Sequence, residues 1–233
     1  MQINYQKIIT DYIQSLNQEA ILTRCFNEKS FQHELGQYLQ NQIGGNYLVQ
    51  YERNAKYFNC TNGNSYFDVK DNKKELDIVV LKKTKNPNDL VNSIPECSIE
   101  IKYQRYYIED LSKTIASPTK TLYEHLRDME LIEQCKSSKF KNTFSIFLAD
   151  HPFCYIERKN KVTYKHLHNA YRGTNTGLSS KTLSLINSEI NKKGQWRALN
   201  ICHDYDLKWN DLLVYSDELN HQLELKYILE AGK

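Results

Sequence analysis

Apolar positions along the chain alternate between helical and strand-like spacing. Tyr5, Ile8, Ile9, Tyr12, Ile13 and Leu16 recur every three or four residues and predict an amphipathic helix over residues 3–17. After a break near residues 17–27, Ser30 is placed to cap a second helix that runs to about Ile43 and ends at Gly44-Gly45. Its stripe is Phe31, Leu35, Tyr38, Leu39 and Ile43, with Glu34 at the edge and His33 off it. Residues 47–53 read as a strand, and 59–71, rich in Asn, Gly and Ser, as a loop. A second strand covers residues 74–81, with Asp77 set among aliphatics. A polar connection from Lys82 to Glu96, containing Pro87 and Pro95, leads to a third strand, 98–103. There Ile99, Ile101 and Tyr103 alternate with Glu100 and Lys102.

Ser117-Pro118 is a helix start, and Leu122, Leu126, Met129 and Ile132 carry one face to about Cys135. Residues 143–148 form a strongly apolar strand, which 153–156 are expected to pair with or extend. A helix capped near Ser179 covers 178–190, and 196–202 read as a strand. The tail fits two patterns: Leu219, Leu223 and Tyr227 suit a helix, while Leu223, Leu225, Tyr227 and Leu229 suit a strand. Ser216-Asp217-Glu218 is a helix-start signal, so a helix is expected. The whole predicts an α/β chain, a central mixed β-sheet flanked by helices with a C-terminal α+β extension. We read it as one domain, 1–233, with a core over 27–160 and the extension over 161–233.

Composition narrows the class. The 233 residues are 40% hydrophobic and 25% charged, which suits a globular chain, and no apolar run is long enough to span a membrane. The N-terminus lacks the layout of a signal peptide, and six scattered cysteines without a CxxC pair read as reduced thiols of a cytoplasmic protein. Net charge is only +3, but it is unevenly spread. Residues 161–200 hold seven Lys or Arg and one acid, Glu189, whereas residues 201–233 hold three Lys and seven acids. The basic block suits a polyanion-facing surface.

Asp77 and Glu100 on neighbouring strands can bind a divalent cation, and Lys102, one pleat beyond Glu100, can hold an attacking water and offset charge in a phosphoryl-transfer transition state. The Ile101 carbonyl is near enough to add an oxygen, and Glu34 can add a further carboxylate. An acidic helix residue, an aspartate strand and then Glu100-Ile101-Lys102 on the next strand together resemble the PD-(D/E)XK nuclease superfamily, the restriction-endonuclease-like fold. The resemblance covers roughly residues 27–150, with Leu76 where a proline is common. It implies Asp77 and Glu100 as metal ligands, Lys102 as the catalytic lysine and Glu34 as the accessory acid. It also implies Mg²⁺ as cofactor, with Mn²⁺ able to substitute. A second Glu-x-Lys, Glu224 and Lys226, reads as an exposed helix face.

The expected function is a Mg²⁺-dependent DNA endonuclease of the type II restriction kind. No GxxxxGK[ST] motor motif is present. Double-stranded DNA is the expected partner, with Lys165, Arg172, Lys181, Lys192, Lys193 and Arg197 as phosphate candidates and Asn169, Arg172, Asn175 and Gln195 as base-edge candidates. Cutting both strands symmetrically calls for a homodimer, and a restriction role calls for a separate methyltransferase acting on the same site. A repair, recombination or junction-resolving nuclease on the same core is the first alternative. A non-catalytic nucleic-acid-binding module is the second.

Overall fold

The computed structural model describes residues 2–58, 60, 74–84, 93–106, 117–156, 163–172, 177–216 and 222–233. Among these run α1 (Tyr5–Gln14), α2 (Gln18–Thr23), α3 (Glu28–Ile43), β1 (Tyr47–Asn54), β2 (Glu75–Lys82), β3 (Ile94–Gln104) and α4 (Pro118–Ser138). They are followed by β4 (Asn142–Ala149), α5 (Lys165–Tyr171), α6 (Ser180–Lys193), β5 (Asn210–Ser216) and β6 (Gln222–Ala231). The strands form a mixed six-stranded sheet in the order β1-β2-β3-β4-β6-β5, and the chain is α/β. β1 with β2, β2 with β3 and β5 with β6 are antiparallel. β3 and β4 are joined through α4, the crossover that parallel neighbours need. Asn142 Nδ2 donates to Glu96 O near the start of both strands, and Asp150 N donates to Gln104 O near their ends, so the two run parallel.

Local chemistry sets where elements begin. The expected break at 17–27 holds the short helix α2, because Asn17 Oδ1 accepts from Ala20 N at 2.8 Å. α3 starts three residues earlier than expected, since Asn27 rather than Ser30 is its cap. Asn27 Oδ1 accepts from Ser30 N at 2.9 Å, and Ser30 Oγ accepts from Asn27 N at 3.0 Å, a reciprocal capping box. β3 also begins earlier, at Ile94, with Pro95 inside it. The proline faces Leu81 where the register slips between Val80 and Leu81, a bulge that dispenses with its missing N–H.

Contacts divide the chain into two compact units, residues 1–101, 131–145 and 231–233, and residues 102–130 and 146–230. In the first, Tyr12 of α1 packs on Phe31 and Tyr38 of α3, with ring centroids 5.6 and 5.2 Å apart. Gly36 lets α3 approach β1, because a Cβ there would overlap the Tyr51 ring. Ile78 to Leu81 are all buried, as a strand covered on both faces requires. In the second unit, Leu122, Leu126, Phe147, Tyr171, Leu207 and Ile228 pack with Leu183, Ile186 and Ile190 of α6. Trp196 is stacked between Tyr123 and Tyr164 at 4.5 and 4.7 Å.

Three expectations for the second half are overturned. Residues 153–156 neither pair with nor extend β4: Pro152 opens a single 3-10 turn, Pro152–Cys154. Residues 196–202 form no strand, because side chains rather than a ladder pin them. Asn187 exchanges two bonds with the Leu199 backbone at 2.8 Å each, and Glu130 accepts from Asn200 N at 2.9 Å. The tail is a strand rather than a helix. Leu223, Leu225 and Tyr227 of β6 are buried, Glu224 between them is exposed, and this two-residue period outweighs the local start signal. The loop expected at 59–71 lies almost wholly outside the described residues. All six cysteines carry free thiols, and among the described residues no helix is long and apolar enough to cross a membrane.

Candidate active site

The β2–β3 ladder brings the two acids together. Ile78 faces Ile99, so one residue further Asp77 stands opposite Glu100. Residues directly opposite in antiparallel strands share a sheet face. Past Ile78 the carboxylates take over as acceptors: Asp77 N donates to Glu100 Oε1 at 3.3 Å, and Ile101 N donates to Asp77 Oδ2 at 2.7 Å. Gln32 Nε2 of α3 donates to the Asp77 carbonyl and ties the helix to this point of the strand. Glu100 is 1% exposed, and Lys74 Nζ lies 3.5 Å from its Oε2. A carboxylate so far from water needs such a cation and an N–H donor.

Lys102 follows Glu100 by two residues on β3, so strand alternation sends both side chains to the same face. Its Nζ lies 3.5 Å from Asp128 Oδ2 of α4, a carboxylate that is itself buried. One turn earlier, His125 is fully buried with Nδ1 2.7 Å from the Tyr171 hydroxyl, which donates to Leu122 O at 3.2 Å. Burial pushes the His125 imidazole down to about 3; the Asp128 charge opposes that shift and the Lys102 charge adds to it.

Glu34 is two residues from Gln32 on α3, about 200° round the helix. The rotation that aims Gln32 at β2 therefore turns Glu34 away, and its carboxylate lies 3.2 Å from Arg24 Nη1. Among the described residues no three His, Cys, Asp or Glu side chains converge on one point. Mg²⁺ commonly takes one or two carboxylates and completes its shell with water, so the Asp77–Glu100 pair is sufficient in number and in donor type. Ile101, expected to offer its carbonyl, is tied to the site by its N–H.

The expected DNA-contacting residues fall into two groups. Lys165, Asn169, Lys181, Lys192 and Lys193 are exposed. Arg172 is buried, lies 4.3 Å over the Phe153 ring and donates to the Phe153 carbonyl. Arg197 grips the buried Glu130 through Nη1 at 3.2 Å and Nη2 at 2.5 Å. Exposed Gln195 accepts from the Tyr164 hydroxyl at 2.8 Å, and Asn175 lies outside the described residues. Glu224 and Lys226 lie on β6, not a helix, and Lys226 pairs with both Asp211 and Glu224.

Sequence reasoning missed Gln32 and Lys74 beside the acids, and Asp128 and His125 on the side of Lys102. One signal was present for His125: it falls within the apolar stripe of α4, three residues after Leu122 and four before Met129, and it is buried there with Asp128 and Glu130. Comparison of the chain with family models, curated proteins and solved structures gives no match.

Proposed function

We propose that the chain is a Mg²⁺-dependent DNA endonuclease with a restriction-endonuclease-like core of the PD-(D/E)XK type, acting in restriction. The carrying observation is the facing pair Asp77 and Glu100 with Lys102 two residues further along β3. Like charges directly opposite on a sheet are destabilising, so their retention with Glu100 buried and Asp77 half-buried suits a cation site. A bound Mg²⁺ would polarise the phosphoryl oxygen and activate a water. Asp77 and Glu100 would hold that ion, and Lys102 would orient the water and offset the charge that grows on the phosphoryl oxygens. Two-strand cleavage at one locus then calls for two copies of the chain.

A second reading is a nucleic-acid-binding module whose acids are structural. It is favoured by the ion pairs Lys74–Glu100 and Lys102–Asp128, which already give both groups a partner. Plasmid digestion separates the two. Wild type with Mg²⁺ or Mn²⁺ is expected to cut, and Asp77→Ala and Lys102→Ala are expected to cut at least ~100-fold more slowly, the scale of losing one transition-state electrostatic contact. Equal behaviour of all three proteins rejects the enzyme. Discrete bands support restriction, whereas cleavage confined to branched or damaged DNA moves the chain to repair.

A further inference from the structure

Helix α6 buries Leu183, Ile186 and Ile190. At 100° per residue, Lys181, Ser184, Ser188, Asn191 and Lys192 share a stripe about 100° wide on the opposite side, and all five are exposed. The one acid of the helix, Glu189, is turned to α5, where its two oxygens accept the His166 N–H at 3.2 and 3.0 Å. Asp204 is held at the helix start, where Oδ1 accepts from Ser180 N at 3.1 Å. Among the described residues Lys165, Lys181, Lys192 and Lys193 form no ion pair. A groove of about 730 Å³ lies beside this face, its lining divided between apolar Leu183 and Leu199 and polar Ser184, Asn187, Ser188 and Lys192.

We infer that α6 docks double-stranded DNA, lying in the major groove with Lys181 and Lys192 on the flanking phosphates. The choice of DNA rests on the nuclease reading; the surface argument does not use the active site. Lys181 and Lys192 are eleven residues apart, about 16 Å along the axis at 1.5 Å per residue. The major groove is about 12 Å wide and admits a helix, and the long lysine side chains at its two ends can turn to the phosphates that border the groove. Ser184, Ser188 and Asn191 lie between them. Their short side chains let the helix approach the bases, and they offer both donors and acceptors to base edges. A single-stranded ligand would be held by stacking on aromatic rings, and this stripe carries none.

The test is binding of a labelled 25-base-pair duplex by fluorescence anisotropy in EDTA, where no cleavage intrudes. Lys181→Glu/Lys192→Glu is expected to bind at least ~10-fold more weakly, with the slope of log K against log salt reduced by about 2. Ser188→Glu keeps every lysine and puts one acid mid-face; it is expected to lose about 5-fold and decides the matter alone if the double variant does not fold. Lys7→Glu, on the exposed side of α1, is expected to bind within twofold of wild type. Wild-type affinity in the folded α6 variants overturns the inference, as does equal or tighter binding of single strands, or no duplex binding by wild type. Asp77→Ala separates this from the nuclease reading. If no protein cuts plasmid yet binding still depends on α6, the nuclease falls and the docking helix stands. If wild type cuts and the α6 variants bind normally, the reverse holds.

Discussion

His125 makes the second unit sensitive to mild acid. Its ring is fully buried, 4.9 Å from Phe147, with Nδ1 on the Tyr171 hydroxyl. The hydroxyl proton goes to Leu122 O, so Nδ1 carries the ring proton, and Nε2 has no hydrogen-bond partner among the described residues. Protonating Nε2 would place a charge in an apolar enclosure, which is why the imidazole is pushed down to about 3 from 6.5. The unfolded chain therefore binds this proton first. Stability falls as pH drops below about 6.5 and levels off only below about 3. Between pH 7 and pH 5 the linkage amounts to about 2 kcal/mol, a large part of a domain's usual margin. Urea unfolding followed by tryptophan fluorescence at both pH values measures it. Other groups titrate in the same window, so the comparison is with His125→Gln, which keeps a hydrogen-bonding group and removes the titration. The variant is expected to lose about 2 kcal/mol less than wild type on acidification. Equal losses in the two proteins would refute the burial argument.

The cation reading also predicts ligand-linked stability. Mg²⁺ at tenfold excess over its dissociation constant should stabilise wild type by about 1.4 kcal/mol in thermal unfolding, and Asp77→Asn should lose that increment. Without Mg²⁺, Asp77→Asn should melt at or slightly above the wild-type temperature, because a repulsive cross-strand pair is relieved. Arg197→Met should cost about 3 kcal/mol in urea, because Glu130, 1% exposed, loses its guanidinium partner. Gly36→Ala should destabilise by about 1–2 kcal/mol despite alanine's helix propensity, since the methyl group meets the Tyr51 ring and disturbs the hydroxyl bond to His33 O.

Where apolar periodicity is long and unbroken, the elements are legible: Tyr5 to Leu16, Leu122 to Ile132 and Leu183 to Ile190 each read as the helix they form. The tail misleads because Ser216-Asp217-Glu218 mimics a helix start, while the true pattern lies in Leu223, Leu225 and Tyr227, set by burial on one face of a sheet. α5 escapes notice because it is seven residues long and opens at Tyr164 in a left-handed conformation without a side-chain cap. Asp77 and Glu100 stand out because a carboxylate within an aliphatic strand is costly to bury. Asp128 does not stand out, because its meeting with Lys102 joins a helix to a strand 26 positions away, and no interval along the chain encodes that encounter.

The two carboxylates have a resting occupation. Each is the acceptor for one main-chain N–H, Asp77 for Ile101 and Glu100 for Asp77. An incoming cation competes with those amides, and bonds from N–H to a charged oxygen are worth about 1.5–3 kcal/mol each. Filling the site would thus unlatch the end of the β2–β3 hairpin, and the amide protons of residues 77 and 101 would exchange with solvent faster in the loaded protein than in the empty one.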